Sequence, residues 1–304
     1  MPIKNSEIVI ISYNCLEYLK SCIDSIRKTS GIKISVVDNG SSDGTVEYLQ
    51  SERNINTIYN SENMGYGKAA NQILLNSNSE FFIVSNADVI YEKHTIDTLI
   101  NFISKNKIAG VCGPQQKYLD GHWQNSYGDL PSFRLAIKDL FFISLIERLI
   151  RKTYWPTKFD DHIMEVEYID GAVYCISREA IKLTNGFDED YFFYTEEADL
   201  SKRVSNCGLK NVFIPSVNVI HHRGGSNGGN ITNEKSATML INSKILYCKK
   251  HLNKIERKFF LKSQYLHNYI MKLVWELFGF VSKEVSKNKI IYYRLMINAW
   301  KNGK

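Results

Sequence analysis

Acids, amides and small residues recur at four places where an apolar run ends, and their types suit the handling of a phosphorylated ligand. The first cluster joins Ser12-Tyr13-Asn14 to Asp38-Asn39-Gly40-Ser41-Ser42-Asp43-Gly44-Thr45. A carboxylate leaving a strand, as Asp38 does, can accept hydrogen bonds from a base or ribose. The plain alternative is a turn and a capped helix, since these are turn residues. In the second, Asn63-Met64-Gly65-Tyr66-Gly67-Lys68, two glycines before a helix could let backbone N–H groups approach an anion, with Lys68 adding charge. The third is Ser85-Asn86-Ala87-Asp88, where a carboxylate with phosphate oxygens would suit Mg²⁺ or Mn²⁺; an ordinary Asp cap is the other reading. The fourth, Thr195-Glu196-Glu197-Ala198-Asp199, sets three carboxylates in four positions beside Phe192, Phe193 and Tyr194. Acids in a first helical turn offset the macrodipole. Crowded acids in a partly dry site also raise one another's pKa, which tunes a general base.

Such residues act only if the fold gathers them. Short β-branched runs alternate with helical spacing through the first 115 residues. Ile8 to Ile11, Ile34 to Val37, Thr57 to Tyr59, Phe81 to Ser85 and Ile108 to Cys112 read as strands. Helices are expected over the Tyr18–Ile26 face, Thr45 to Gln50, Lys68 to Leu75 and Thr95 to Ser104, with Thr195 as an N-cap further on. This rhythm predicts an α/β fold, a mostly parallel nucleotide-binding sheet flanked by helices, with ligands beyond the C-terminal ends of its strands. The pattern weakens over 114–166, which reads as an insertion, helical around Leu135 to Leu149. It resumes with a strand at Ala172 to Ile176, helices at Arg178 to Leu183 and Glu196 to Cys207, and a strand at Val212 to Ile214. A Gly-rich loop at 224–229 precedes a helical extension. The expected domains are 1–233 and 234–304.

Residues 244–304 carry 14 Lys and Arg against 3 Asp and Glu, while the rest of the chain carries 24 against 29. Opposite charge in two regions implies different partners. The basic region interleaves Tyr247, Phe259, Phe260, Tyr265, Tyr269, Trp275 and Trp300 with lysines. It reads as an interfacial segment drawn to an anionic membrane, or as a subdomain packing on the core or on a second copy in a homo-oligomer. It lacks a nucleic-acid-binding motif. Six scattered cysteines without a C-x-x-C pair imply reduced thiols. No basic-then-apolar leader opens the chain, and no apolar stretch is long enough to span a bilayer, so a cytoplasmic protein, peripheral on the inner face of the membrane, is expected.

In this order, the segments Val9-Ile10-Ile11-Ser12-Tyr13-Asn14, Val37 to Thr45, Asn63-Met64-Gly65, Ser85-Asn86-Ala87-Asp88, Asp170-Gly171-Ala172, Gly186-Phe187-Asp188-Glu189, Phe192 to Leu200 and Ile220-His221-His222-Arg223-Gly224-Gly225-Ser226 resemble the inverting family 2 glycosyltransferases of GT-A fold, of rhamnosyltransferase type. The resemblance covers residues 6 to 230. It implies that Asp38, with Ser12, Tyr13 and Asn14, holds the base and ribose of a nucleoside-diphosphate sugar. Asn63, Gly65, Lys68, Asn86, Ala87 and Gly171 would also line the donor pocket. Asp88 matches the last acid of the D-x-D motif and would bind Mg²⁺ or Mn²⁺. Asn86 stands where many relatives have Asp. His221 would be the second metal ligand or a diphosphate contact, and His222 is its neighbour. The family's E-D pair appears as Glu196-Glu197, with Glu197 at the usual position of the base and Asp199 as the helix acid after it.

The implied reaction is one displacement with inversion, from dTDP-L-rhamnose as first choice, onto a glycan or lipid-linked saccharide of a surface polysaccharide. The Gly-rich loop would order over the donor. Alternatives are a UDP-hexose or UDP-N-acetylhexosamine donor, or an inactive partner that binds sugar nucleotides. A nucleotidyltransferase would carry a Gly-rich, Arg/Lys-containing loop after the first strand, and Ser12-Tyr13-Asn14-Cys15 is not one.

Overall fold

The computed structural model describes residues 5–147, 163–222, 233–277 and 283–303. The Gly-rich loop at 224–229 therefore lies outside the described residues. The chain forms two units, one of Met1–Asp129, Thr157–Phe192 and Glu196–Gly229, the other of Leu130–Pro156, Phe193–Thr195 and Asn230–Lys304.

The first unit is built on a sheet of ten strands. β1 (Ser6–Ser12), β2 (Lys33–Asp38), β3 (Asn56–Tyr59) and β4 (Phe81–Asn86) are parallel in the order β3-β2-β1-β4. All seven residues of β1 are buried, which is why it reads as an unbroken apolar run rather than an alternating one. Ile8 and Ile10 enter a core shared with α1 (Leu16–Thr29) and α4 (Thr95–Lys105). Leu19, Cys22, Ile23 and Ile26 of α1 are fully buried there, and burying each aliphatic side chain contributes about 1.5–3 kcal/mol. Two shorter helices follow β2 and β3: α2 (Thr45–Ser51) and α3 (Tyr66–Leu74), of which α3 packs on β1 and β2.

Beyond β4 the sheet changes direction. A turn at 87–88 leads into β5 (Val89–Tyr91), and β6 (Ala109–Lys117) follows α4. β11 (Val173–Ser177) lies antiparallel between β4 and β6, and β12 (Lys210–His221) pairs parallel with β6 and antiparallel with β5. β7 (Trp123–Gln124) and β9 (Met164–Val166) add to β6 and β12, while β8 (Tyr127–Gly128) and β10 (Tyr168–Ile169) form a small separate pair. α6 (Arg178–Thr184) and α7 (Glu196–Asn206) complete the unit.

Two elements exceed their sequence expectation by five residues or more. β6 runs to Lys117 because its last turns bury Gln115 and Gln116, which no apolar pattern marks. β12 extends from 210 to His221 rather than stopping at Ile214. Its pairing with β6 shifts register between Ile214 and Asn218, around Pro215, so the strand passes a residue that cannot donate to a ladder.

At the edge opposite the strands' C-terminal ends, Glu7 is fully buried. Ser35, Ser77 and Ser79 donate to its carboxylate, and Lys33 pairs with it at 3.0 Å. Burial alone would raise its pKa, but these donors win and hold it below the usual value.

The second unit contains α5 (Phe133–Leu140) and three long helices, α8 (Glu234–His251), α9 (Lys254–Leu277) and α10 (Lys283–Asn302). Ala237, Ile241 and Ile245 of α8 pack with Met296 and Ala299 of α10. Phe133 of α5 stacks on Phe259 of α9 at 4.6 Å. Among the described residues no helix is long and apolar enough to cross a membrane.

Candidate active site

The chain order β1-β2-β3 runs outward from β1, and β4 returns to its other side. In sheets of this kind a ligand sits at such a reversal, beyond the C-terminal ends of the strands that flank it, here β1 and β4. Ser12 pairs with Asp38 and Ile11 with Asn86, so three strand ends finish in nearly one row. Asp38 is fully buried. Its Oδ2 accepts from Ser41 N at 3.0 Å, while Oδ1 has no hydrogen-bond donor among the described residues. An unmet buried acceptor costs about 1–3 kcal/mol, which a ligand N–H or O–H would recover.

The loops around Asp38 are stapled together. Asn14, at φ +49, donates N–H to Ser41 Oγ at 2.9 Å and accepts from Ser42 N at 2.8 Å. Asp43 accepts from Leu16 N at the start of α1 and from Thr45 Oγ1. Burial opposes the charge on Asp43, yet these donors hold its pKa below the ordinary value. Ser12 is buried with its Oγ 3.4 Å from Cys15 Sγ. Ser12 and Asn14 thus brace the pocket, where the sequence had them lining it, while Tyr13 stays half-buried.

The Gly65 segment also differs from the expected anion cradle. Gly65 N donates to Asn63 Oδ1 at 3.0 Å and Tyr66 N to Phe192 O at 2.9 Å, so protein acceptors take those N–H groups. Gly65 sits at φ +88, and a Cβ there would meet Phe192 O at 2.4 Å, which explains the glycine by close approach. Lys68 is on the exposed face of α3. Asn39, absent from the sequence-based set, is the hub of this region. Its Nδ2 donates to Asn63 Oδ1 and Gly65 O, and its Oδ1 accepts from Met64 N and Asn60 Nδ2.

Asp88 and Ala87 form the turn between β4 and β5, where both are buried. β12 pairs with β5 at His221↔Val89, which brings His221 Nε2 to 3.4 Å from Asp88 Oδ1. His222 N donates to Asp88 O at 3.0 Å, and its ring lies edge-on to Tyr18. His221 Nδ1 faces Gln116 Oε1 at 3.1 Å and Gln124 Oε1 at 3.2 Å. The donor set fits a hard divalent cation: one carboxylate oxygen and one imidazole nitrogen converge, and the ring's other nitrogen is held by amides. Among the described residues no group of three or more His, Cys, Asp or Glu gathers at one point, so phosphate oxygens would have to complete the shell.

The acidic pair lies near the same edge. Asn86 N donates to Ala172 O, which fastens the end of β4 to the loop 170–172. In that loop a Cβ on Gly171 would stand 3.5 Å from Glu197 Cβ and Cγ. Tyr66 Oη donates to Gly171 O at 3.1 Å, and Glu196, Glu197, Asp170 and Asp88 all act on that hydroxyl electrostatically. Glu196 is buried and its Oε2 has no hydrogen-bond partner among the described residues, whereas Glu197 is half-exposed. Burial first, and the charge of Glu197 second, push the Glu196 pKa well above the usual carboxylate range. Thr195, at φ +71, is outside the extended region an N-cap adopts.

Asp199 does a different job. It is fully buried, pairs with Arg203 Nε at 2.7 Å and accepts from Tyr191 Oη. Arg203 Nη1 in turn donates to Thr184 O and Gly186 O, so the carboxylate anchors α7 against the end of α6.

The sequence matches the family described as Glycosyl transferase family 2 over residues 7–165, just over half of the chain. The chain belongs to glycosyl transferase family 2. It is 28% identical over 240 residues to N-acetylglucosaminyl-diphospho-decaprenol L-rhamnosyltransferase of Mycobacterium tuberculosis, covering 73% of this chain and 77% of that protein. It is 22% identical over 225 residues to Rhamnosyltransferase WbbL of Escherichia coli K12, covering 71% and 82%. Among solved structures, mannosyltransferase PcManGT of Pyrobaculum calidifontis, in complex with GDP-Man and Mn²⁺, superimposes with a TM-score of 0.61 at 11% identity, covering 97% of this chain and 85% of that one. GalNAc-T7 with UDP, GalNAc and Mn²⁺ gives 0.56 at 15% identity; the match covers 81% of this chain and about half, 51%, of that one. These likenesses establish the GT-A fold, and the family makes the chain a glycosyltransferase.

In this glycosyltransferase the residues the sequence reading passed over are Asn39, Tyr66, Gln116, Gln124 and Asp170. Of these, Asn39, Tyr66 and Asp170 lay inside quoted segments but were given no role of their own. The glutamines carry no local signal, because they act from strands paired only in the folded chain.

Proposed function

We propose that this glycosyltransferase passes a sugar, with inversion, from a nucleoside diphosphate to a hydroxyl of a glycan or lipid-linked saccharide in cell-surface polysaccharide synthesis. The reading rests on the facing pair Asp88 and His221 just beyond the C-terminal end of β4. dTDP-L-rhamnose is the first-choice donor, on the strength of the two rhamnosyltransferase relatives, and a UDP-hexose or UDP-N-acetylhexosamine is the alternative. Asp38 would accept from the base or ribose, and Asp88 with His221 Nε2 would hold Mg²⁺ or Mn²⁺. A bound cation would supply Lewis-acid stabilisation of the departing diphosphate.

Glu197 is the assigned base. Burial and the neighbouring Glu197 push the Glu196 pKa up, which favours the half-exposed Glu197 as the member of the pair that accepts a proton. Glu197 takes the proton of the acceptor hydroxyl as that oxygen bonds to the anomeric carbon. The bond from that carbon to the diphosphate breaks on the opposite side, and its electrons leave with the diphosphate. Asp199 acts by fixing α7. Residues 1–233 would form the catalytic domain and 234–304 its extension. The test is a panel of dTDP-L-rhamnose, UDP-glucose and UDP-N-acetylglucosamine, scored by thermal shift and by nucleoside-diphosphate release. Response to a UDP sugar alone would discard the rhamnose donor, and response to none would discard the reading.

A membrane role for the second unit is favoured by one face of α9. Ile255, Lys258, Lys262, Leu266, Tyr269, Leu273 and Leu277 recur every three or four residues, and all are exposed. Lysines leading into an apolar stripe match an anionic lipid surface on the cytoplasmic side. Flotation of the full chain with vesicles containing phosphatidylglycerol, but not with neutral ones, is the expected result. Equal flotation of a Leu266→Ser, Leu273→Ser, Leu277→Ser variant would end this reading.

A further inference from the structure

We propose that Gln116 and Gln124 are positioning residues that fix the tautomer of His221, leaving the Nε2 lone pair directed at Asp88. The inference rests on the reading of Asp88 and His221 as the cation-binding pair, and goes beyond it by naming what prepares the histidine. Register sets the geometry first. Gln116 of β6 lies opposite Gln124 of β7 in an antiparallel pair, and β12 runs along the other side of β6 with Val219 at Gln116. Both amides are nearly inaccessible, at 1% and 4% exposure, so water does not compete for their oxygens.

The orientation of each amide follows from its other partners. Gln124 Nε2 lies 2.6 Å from His221 O and 3.2 Å from Lys117 O. Gln116 Nε2 lies 3.0 Å from Asp170 Oδ1. Carbonyl and carboxylate oxygens only accept, so the amide nitrogens must face them, and each Oε1 is turned to the ring. Two acceptors 3.1 and 3.2 Å from His221 Nδ1 require a hydrogen there. A neutral imidazole carries one N–H, so Nε2 is left with its lone pair, 3.4 Å from Asp88 Oδ1. A lone pair facing a carboxylate oxygen is poorly placed in a protein alone and well placed to share a cation. Ser126 steadies the pair, its Oγ meeting Gln116 N at 2.8 Å and Gln115 Nε2 at 2.9 Å. Through Asp170, Gln116 also reaches the loop on which Glu197 rests.

The experiment reads the tautomer directly. The full chain, free of metal and labelled with ¹⁵N-histidine, is studied by long-range ¹H–¹⁵N correlation at about pH 8, above the usual imidazole range. His221 is assigned by its absence in His221→Ala. Protonated Nδ1 and unprotonated Nε2 are expected, and a dominant Nε2–H form overturns the proposal whether or not any variant folds. In Gln116→Met, Gln124→Met the expected change is a growing Nε2–H population, with Mn²⁺ affinity in the presence of dTDP lowered about 10- to 100-fold. An unchanged tautomer and unchanged Mn²⁺ affinity in a folded double variant also overturn it. Undiminished Mn²⁺ affinity in His221→Ala instead sinks the cation-site reading, a result separable from the tautomer itself.

Discussion

Asp88 Oδ1 and His221 Nε2 face each other across 3.4 Å, one on the turn between β4 and β5, the other on the last residue of β12. Residues 133 positions apart meet because β5 and β12 pair at Val89 and His221. Replacing Asp88 by Ala should lower kcat/KM by about 10²–10³, as loss of one charge-stabilising group does at a transition state. His221→Ala should weaken Mn²⁺ binding in parallel. Steady-state nucleoside-diphosphate release checks both, and near-wild-type turnover in Asp88→Ala would remove this pair from the chemistry.

The two glutamates should separate by kinetics. Glu197→Gln keeps size and loses the base, so kcat should fall about 10²–10⁴ while donor binding by calorimetry stays within a few-fold. Glu196→Gln, which mimics the protonated acid, should lower kcat less. The reverse order would transfer the assignment to Glu196.

Stability against pH tests the buried state of Glu196. Its folded pKa lies well above the ordinary glutamate value of 4.5, so between 4.5 and the folded pKa the folded chain keeps a proton that the unfolded chain releases. Folding therefore loses stability as pH rises above 4.5 toward the folded pKa. Glu196→Gln removes that loss. The Tm of Glu196→Gln minus that of wild type should grow from acid to neutral pH, and a flat difference would refute the assigned protonation.

Glu7 behaves oppositely. Its folded pKa is below the ordinary glutamate value of 4.5, because donors from Ser35, Ser77, Lys33 and Ser79 outweigh burial. The stability it contributes is present above 4.5 and is lost as pH falls through the folded value. Glu7→Ala would leave those donors unmet and cost about 3 kcal/mol, or about 5 °C in Tm for a chain of this size. The wild-type advantage should shrink on acidification below 4.5.

Much of the first half was legible because β1 is buried throughout and β2 and β4 are buried along their middles, and so are spelled in apolar, largely β-branched residues, with helices between them at regular spacing. The acids at strand ends were visible for the same reason: each follows an apolar run. The far edge of the sheet was not. Buried Gln115, Gln116 and Gln124 break the apolar pattern, and β5 has only three residues. Ser12, Asn14 and the N–H groups after Asn63 looked free to meet a ligand in sequence, but Asn14 is met by Ser41 and Ser42, Met64 by Asn39 and Tyr66 by Phe192, while Ser12 and Gly65 are met by the nearby Cys15 and Asn63. Local spacing cannot reveal a partner brought in by a different strand.

The irregularity in β12 between Ile214 and Asn218 decides which histidine enters the site. Upstream, the even-numbered Val212 and Ile214 point into the core shared with α1 and α4; downstream, the odd-numbered Val217 and Val219 do. Pairing moves from Ile214↔Pro114 to Asn218↔Gln115, and this odd-numbered offset changes parity, so His221 inherits the inward side. In an unbroken strand that side would fall to Ile220 and His222. The adjacent histidines are therefore not interchangeable, and the choice between them is made several residues upstream, by a proline and its bulge.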